Sequence, residues 1–495
     1  MSTSTNEASN LIQPNADRLI EATVDDMQQA MAEGKLTSRQ LVLFYLDRIA
    51  RYDSDGPQLN AVIEVNPDAV FLAEASDLER QTQGQRGPLH GIPVLIKDNI
   101  DTGDHMHTTA GSVTLANHYA ARDSFVAAQL RAAGAIILGK TNLTEWANFM
   151  TNGMPNGYSS RGGQTLNPYG PGEFDTGGSS AGSGAAIAAN LAAIAVGTET
   201  SGSILSPASC NSLVGIKPTV GLVSRTGIIP IAHSQDTAGP MARTVKDAAL
   251  LLNVLKGEDV RDAATWVGSR QAEDDYTSFL DADGLQGARI GYDKAYWEHM
   301  NDGQRAILEA AIEKLQEAGA EVFEVTIPTV EEVSGGYEVL IYEFKSALNA
   351  YLATCGPDVP VHSLRDVIDY NHKHHEKALK YGQTLLIESE RTSGTLTDAK
   401  YLNARLRDLQ LSQTEGIDKT MAEHRLDALL SPANFAAGIA AKAGYPSITV
   451  PGGYTAEEGT PFGVTFTGTA YSEGALIRLA YAFEQATKHR VAPNL

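Results

Sequence analysis

Cysteine is nearly absent from this chain. Cys210 and Cys355 are the only two in 495 residues, and no C-x-x-C pair exists. That excludes a disulfide framework and a cysteine-based zinc site. The first 22 residues, MSTSTNEASNLIQPNADRLIEA, lack a basic segment followed by an apolar core, so no secretory leader is expected. Long hydrophobic runs are missing too. The longest, 185–197, is broken by Asn190 and is shorter than the about 20 residues a membrane span needs. Cations are in deficit: 38 Lys and Arg stand against 60 Asp and Glu, a net charge of −22. Nucleic acid and anionic membranes both demand a basic surface, so neither is an expected partner. A soluble, reducing, cytoplasmic setting follows as the expectation.

Apolar residues are not in short supply. At 42% hydrophobic and 20% charged residues, a sizeable core can form and global disorder is excluded. The first 15 residues are polar and are expected to be disordered. VDDMQQAMAEGKLTSRQLVLFYLDRIARYD reads as two amphipathic helices, the second capped by Thr37 or Ser38, with Leu41, Leu43, Leu46 and Ile49 at helical spacing. IPVLIK (92–97) reads as a buried strand. SFVAAQLRAAGAIILGKTNLTEWANF reads as helix, stop at Gly134, strand and loop. A helix is expected over 185–194, a strand at IAVGTE and a helix at VKDAALLLNVL. Such alternation predicts an α/β fold, a sheet flanked by helices. Between about 255 and 425 the chain turns more charged and more helical. The last 70 residues return to strand-and-loop patterns at ALLSP, PSITVPGGY and FGVTFTG. Without repeats or low-complexity linkers, residues 16–495 are expected to form one domain with a helix-rich segment.

Residues 150–184 form a long stretch rich in Gly, Ser, Asn and Pro that ends in GGSSAGSG. A structureless segment of that length between two confident elements is more often functional than accidental. Gly178-Ser179-Ser180-Ala181-Gly182 fits G-x-S-x-G, the strand–turn–helix elbow that exposes the nucleophile of α/β-hydrolases. That elbow would make Ser180 the nucleophile. It needs a strand immediately before it, and NPYGPGEFDTG is too rich in Pro and Gly to be one. His233 and Asp236 exist downstream, in the wrong order for that fold. A phosphate-binding P-loop is excluded because no Lys-Ser or Lys-Thr follows the glycines.

The glycine-rich stretch is followed by GTETSGSILSPASCNSLVGIKPTVGLVSRTGIIPIAHSQDTAGPMARTVKDAA. With LHGIPVLIKDNIDT, TTAGS, GKTNLTEWANF, AGYPSITVPGGY and FGVTFTG, this resembles the amidase signature family. The motifs cover most of 20–250 and 425–495, whereas about 255–425 is weakly diagnostic. The resemblance implies an α/β fold with a large mixed central β-sheet flanked by helices on both faces, and a Ser–cisSer–Lys set without cofactor or metal. Lys97 is the lysine of the GIPVLIKDN motif, Ser179 the relay serine after a cis Gly178–Ser179 bond, and Ser203 the nucleophile ending TSGS. Ser179 and Ser203 lie 24 positions apart, the usual family spacing. By motif position the oxyanion donors are the backbone N–H groups of Thr200, Ser201, Gly202 and Ser203, with Gly177, Gly178 and Ser180 building the loop.

This constellation is chemically coherent. A serine hydroxyl needs a base to take its proton, and lysine serves when neutral. Burial after IPVLI would lower the Lys97 pKa. The bland alternative is a surface lysine paired with Asp98 or Asp101. Thr198 and Glu199 are candidates to orient the nucleophile loop. The sequence departs from common members at Ala181, Ser201 and Leu205, the last standing where many have arginine. Members resembling peptide amidases, which release ammonia from C-terminal amides, also lack that cation. The substrate is therefore expected to be a neutral small-molecule or peptide amide, bound by a monomer or homodimer. Three rivals stand beside it: a component of the tRNA-dependent amidotransferase complex, an α/β-hydrolase esterase using Ser180, and a non-catalytic binding protein, against which the intact Lys97, Ser179 and Ser203 set argues. NHKHHE (371–376) places His372 and His375 at i, i+3, with His374 between them, on a helix. It does not match H-E-x-x-H, and a solvated face is the expectation.

Overall fold

The structure, a computed structural model, describes residues 16–333 and 336–495. The expected disordered tail, 1–15, lies outside the described residues. Thirteen strands occur among them. These are β1 (Val62–Val65), β2 (Pro93–Lys97), β3 (Ile136–Thr141), β4 (Tyr158–Ser159), β5 (Gly163–Gln164), β6 (Ile194–Glu199) and β7 (Val214–Lys217). They continue with β8 (Thr237–Ala242), β9 (Arg289–Tyr292), β10 (Glu321–Glu324), β11 (Ala428–Pro432), β12 (Ser447–Tyr454) and β13 (Pro461–Thr467). Eleven form one sheet in the order β1-β3-β2-β6-β8-β7-β12-β13-β11-β9-β10, while β4 and β5 make a separate hairpin. The sheet is mixed: β3, β2 and β6 run parallel, as do β11, β9 and β10, and the strands between them are antiparallel.

Every residue of β2, β3 and β6 is buried. Strands covered on both faces read as continuous apolar runs, which is why IPVLI and IAVG show no alternation. One cover is the helix Ala181–Ala188, AGSGAAIA, itself wholly buried. Its composition follows from contact distance. A Cβ on Gly182 would fall 2.6 Å from the Asn142 backbone nitrogen and closer still to the carbonyls of Ala61 and Asn142. This helix begins earlier than the expected 185–194. It stops at Ala188, and Asn190 sits at φ 56 in the following turn.

Thr37 caps the helix Ser38–Arg48 through a capping box, which satisfies two otherwise orphaned donors. That helix buries Leu41, Val42, Phe44 and Tyr45, and leaves Leu43 half-buried. Leu41, Leu46 and Ile49 face the core as their spacing predicts, and Phe44 and Tyr45 widen that inner face where Leu43 does not. The 255–425 segment is helix-rich but also supplies β9 and β10 to the sheet edge. After β13 comes the helix Glu473–Thr487, which packs Leu476, Leu479 and Phe483 into the core, so the last 70 residues are not strand and loop alone. A second apolar cluster joins Phe344, Leu348 and Leu352 of the helix Glu338–Leu352 to Trp146, Phe149, Ile229 and Ile231. The helix-rich segment thus packs against loops at the carboxyl ends of β3 and of the strands beside it. No helix among the described residues is long and apolar enough to cross a membrane.

Candidate active site

Two parallel neighbours bring the first groups together. Ile96 of β2 is level with Val196 of β6, so the chain delivers Lys97 and then Thr198 and Glu199 to the same end of the sheet. Glu199 pairs with Thr237 of the antiparallel β8, which places Asp236 at that end as well. Clefts beyond the carboxyl ends of strands are where open α/β sheets bind ligands.

Lys97 is fully buried. Its Nζ lies within hydrogen-bonding distance of Ser179 Oγ at 2.8 Å, Ser180 Oγ at 3.0 Å, Thr198 Oγ1 at 2.9 Å and the Thr198 carbonyl at 3.2 Å, more partners than its protons can serve at once. None of these partners is a carboxylate, so the bland expectation of an ion pair with Asp98 or Asp101 is not what surrounds it. Asp98 instead bonds to Thr109 and Gly111, and Asp101 accepts from Tyr351. Burial pulls the Lys97 pKa down to about 7, against the opposing pull of Glu199 and Asp236. Desolvation without a touching counter-charge favours the neutral amine.

The Gly178–Ser179 peptide is cis. The Ser179 carbonyl accepts from Thr144 N at 3.0 Å. Ser180 is engaged on both sides: its hydroxyl donates to the Thr198 carbonyl at 3.0 Å, and its N–H donates to the Ser203 carbonyl at 3.1 Å. No strand precedes Ser180 in 165–179, and no histidine reaches its hydroxyl. The geometry of an α/β-hydrolase elbow is therefore not present.

Ser203 lies 7% exposed at the start of the helical turn that follows β6. Its loop is pinned by the Glu199 carboxylate. Oε1 accepts from Gly202 N at 2.7 Å, and Oε2 accepts from Ile204 N at 2.7 Å and Leu205 N at 3.1 Å. The residues on either side of Ser203 are thereby tied to one buried acid. Burial raises the Glu199 pKa, and these backbone donors hold it down. Of the four N–H groups expected to face an oxyanion, that of Gly202 is thus committed to Glu199. Those of Thr200, Ser201 and Ser203 have no acceptor among the described residues. Gly202 adopts φ +78, a left-handed conformation natural to glycine.

Asp236 completes the arrangement. It accepts from Thr200 Oγ1 at 2.5 Å and from the N–H groups of Ile231 and Ala232, each at 2.9 Å. Burial pushes its pKa up to about 7. A pocket lined by Asn99, Thr198, Thr200, Ile229, Ile231 and Asp236 opens beside these groups. Asn99 Nδ2 donates to Thr198 Oγ1 at 3.0 Å while its Oδ1 is buried and unpartnered. Asn99 and the loop-organising role of Asp236 were not legible beforehand. The available signal was the placement of polar residues beside buried strands in IPVLIKDN and SQDTAGP. His372, His374 and His375 are exposed, away from this cluster, and the helix breaks at His374 between Leu364–Lys373 and His375–Ala378. His372 and His375 therefore do not share one continuous helical face. No group of three potential metal ligands occurs among the described residues.

Comparison with known proteins agrees with this layout. The Amidase family profile matches residues 40–477. A probable amidase of Arabidopsis thaliana is 43% identical over 485 residues, covering 96% of this chain and 91% of the relative. A glutamyl-tRNA(Gln) amidotransferase subunit of Methylobacillus flagellatus is 33% identical over 511 residues, covering 95% and 98%. Among solved structures, the native peptide amidase of Stenotrophomonas maltophilia superposes with a TM-score of 0.91 at 46% identity, covering 97% and 99%.

Proposed function

This chain belongs to the amidase family, and from that premise we propose that it hydrolyses neutral carboxamides, C-terminal peptide amides above all, through an acyl-Ser203 intermediate. One observation carries the proposal: a wholly buried lysine, with its pKa lowered to about 7, hydrogen-bonded to Ser179 at 2.8 Å and touching no carboxylate. Such a lysine is suited to act as a base near neutrality.

In this reading neutral Lys97 takes the Ser179 proton while Ser179 takes that of Ser203. Ser203 Oγ attacks the carbonyl carbon. The negative charge that develops on the carbonyl oxygen is met by the free N–H groups of Thr200, Ser201 and Ser203, a term commonly worth about 10²–10³ in rate per donor. Glu199 holds Gly202 so that this loop does not yield. The proton then returns through Ser179 to the leaving nitrogen, the C–N bond breaks, and ammonia or an amine departs. Water, activated along the same path, hydrolyses the acyl ester. Ser180 fixes the lysine and the loop rather than reacting.

The preference for a neutral substrate rests on Leu205, buried where many family members carry arginine, and on the net charge of −22. The Arg225 guanidinium that lines the pocket is already paired with Asp262, so a free carboxylate beside the scissile bond would find no unpaired cation there. We further propose a cytoplasmic monomer or homodimer that needs no cofactor. Likeness to the amidotransferase relative favours a second reading, in which activity requires partner chains. The purified chain alone decides between them. Release of ammonia from a peptide amide, with a fluorophosphonate adduct mapped to Ser203, supports the first reading. An inert chain that becomes active only with amidotransferase partners supports the second.

A further inference from the structure

Gly202 packs against the turn that follows β11. A Cβ at that position would meet Asn434 Nδ2 at 3.1 Å and the Ala437 methyl at 3.4 Å. The Asn434 carboxamide therefore lies over the residue immediately before Ser203. It is half-buried, and neither its Oδ1 nor its Nδ2 has a hydrogen-bond partner among the described residues. Its backbone, by contrast, is firmly held. The Asn434 carbonyl accepts from Ala437 N at 2.9 Å, Phe435 N donates to the Pro432 carbonyl at 3.0 Å, and Ala433 N donates to the Gly463 carbonyl at 2.9 Å. Thr465 Oγ1 also bonds the Ala433 carbonyl. The Phe435 ring meets Phe462 edge-on at 6.3 Å. The turn is thus rooted in β11 and β13, and presents one carboxamide with free donors and a free acceptor.

We propose that Asn434 is a specificity-determining residue that pairs with the backbone amide adjoining the scissile carboxamide in an N-acylated amino-acid amide. This rests on the amidase reading above. A carboxamide carries two donors and one two-lone-pair acceptor, which matches the C=O and N–H of a peptide group. It recognises that group without adding charge, as the absence of a nearby cation at Leu205 demands. Mounting on a strand-anchored turn keeps the group in register with the nucleophile loop. A simple amide has nothing to offer it, so selection for peptide amides over plain carboxamides would originate here.

The test compares N-acetyl-phenylalaninamide with 3-phenylpropanamide, which share the ring and the scissile amide but differ in the acylated amino group. The ratio of kcat/KM for the two is measured in the intact wild-type chain, Asn434→Ala and Asn434→Asp. Thermal unfolding and fluorophosphonate labelling of Ser203 check that each variant is folded. The expected result is a ratio favouring the acetylated amide in wild type that falls about tenfold in both variants, chiefly through KM, since one or two neutral hydrogen bonds account for that factor. A ratio in Asn434→Ala and Asn434→Asp equal to that of wild type overturns the role of Asn434 while leaving the amidase reading standing. A wild-type chain that cleaves neither compound overturns both.

Discussion

Replacing Lys97 by methionine separates its kinetic role from its energetic cost. Lys97 is completely buried, and its pKa falls from the ordinary 10.5 to about 7. The unfolded chain keeps its proton up to 10.5, whereas the folded chain gives it up near 7. Between these values the unfolded state holds more protons, so stability rises with pH in that window. Each pKa unit corresponds to about 1.4 kcal/mol, and the whole shift to about 5 kcal/mol of stability withheld below pH 7. Lys97→Met has no such group. The stability of wild type relative to the variant should therefore climb by about 1.4 kcal/mol per pH unit between about pH 8 and pH 10. Urea unfolding at matched ionic strength measures the difference. The same ionisation should set the acid limb of wild-type kcat/KM. At about pH 6 only about one Lys97 in ten is neutral, so activity should drop about tenfold per unit below pH 7. The variant should lose most of the rate and that limb with it. Two stability curves that stay parallel across that alkaline window would refute the burial argument. A full-rate Lys97→Arg enzyme would refute the base, because arginine stays protonated throughout.

Ser203→Ala should keep its fold, by circular dichroism, and lose about 10⁴–10⁶ in kcat; a fluorophosphonate adduct on Ser180 instead would count against the assignment. Glu199→Gln removes the charge that holds Gly202, Ile204 and Leu205 and raises the Lys97 pKa. Its kcat should fall at least about tenfold and its acid limb should move to lower pH, an outcome read from the pH profile of kcat/KM. Gly182→Ala forces a methyl against the backbone of Ala61 and Asn142. It should cost about 1–3 kcal/mol in denaturant unfolding, and an unchanged midpoint would mean that the helix Ala181–Ala188 can shift away.

The sequence by itself determined the residue types and their local settings. The run IPVLIK had to be a covered strand because five apolar side chains in succession need both faces of a sheet buried. IAVGTE and VKDAALLLNVL coincide with β6 and the helix Val245–Leu255 residue for residue. Resemblance to the family's motifs marked Lys97, Ser179 and Ser203 as the expected reacting set and Ser180 as part of the loop. Local patterning stopped short where packing was the deciding term. The helix Ser38–Arg48 turned Phe44 and Tyr45 inward over Leu43, and β9 and β10 rose from a stretch read as helix-rich. Tertiary structure alone decided how these groups meet. The parallel pairing of β2 with β6 surrounds Lys97 with hydroxyls from residues about 80 to 100 positions away and with no carboxylate. Within the loop itself, Glu199 takes the N–H of Gly202 three residues on, leaving three donors free where motif position implied four. The pairing of β11 with β13 carries Asn434, more than 200 residues downstream, onto the backbone beside Ser203. Such encounters depend on strand order and register across the whole sheet, which no local pattern of side chains encodes.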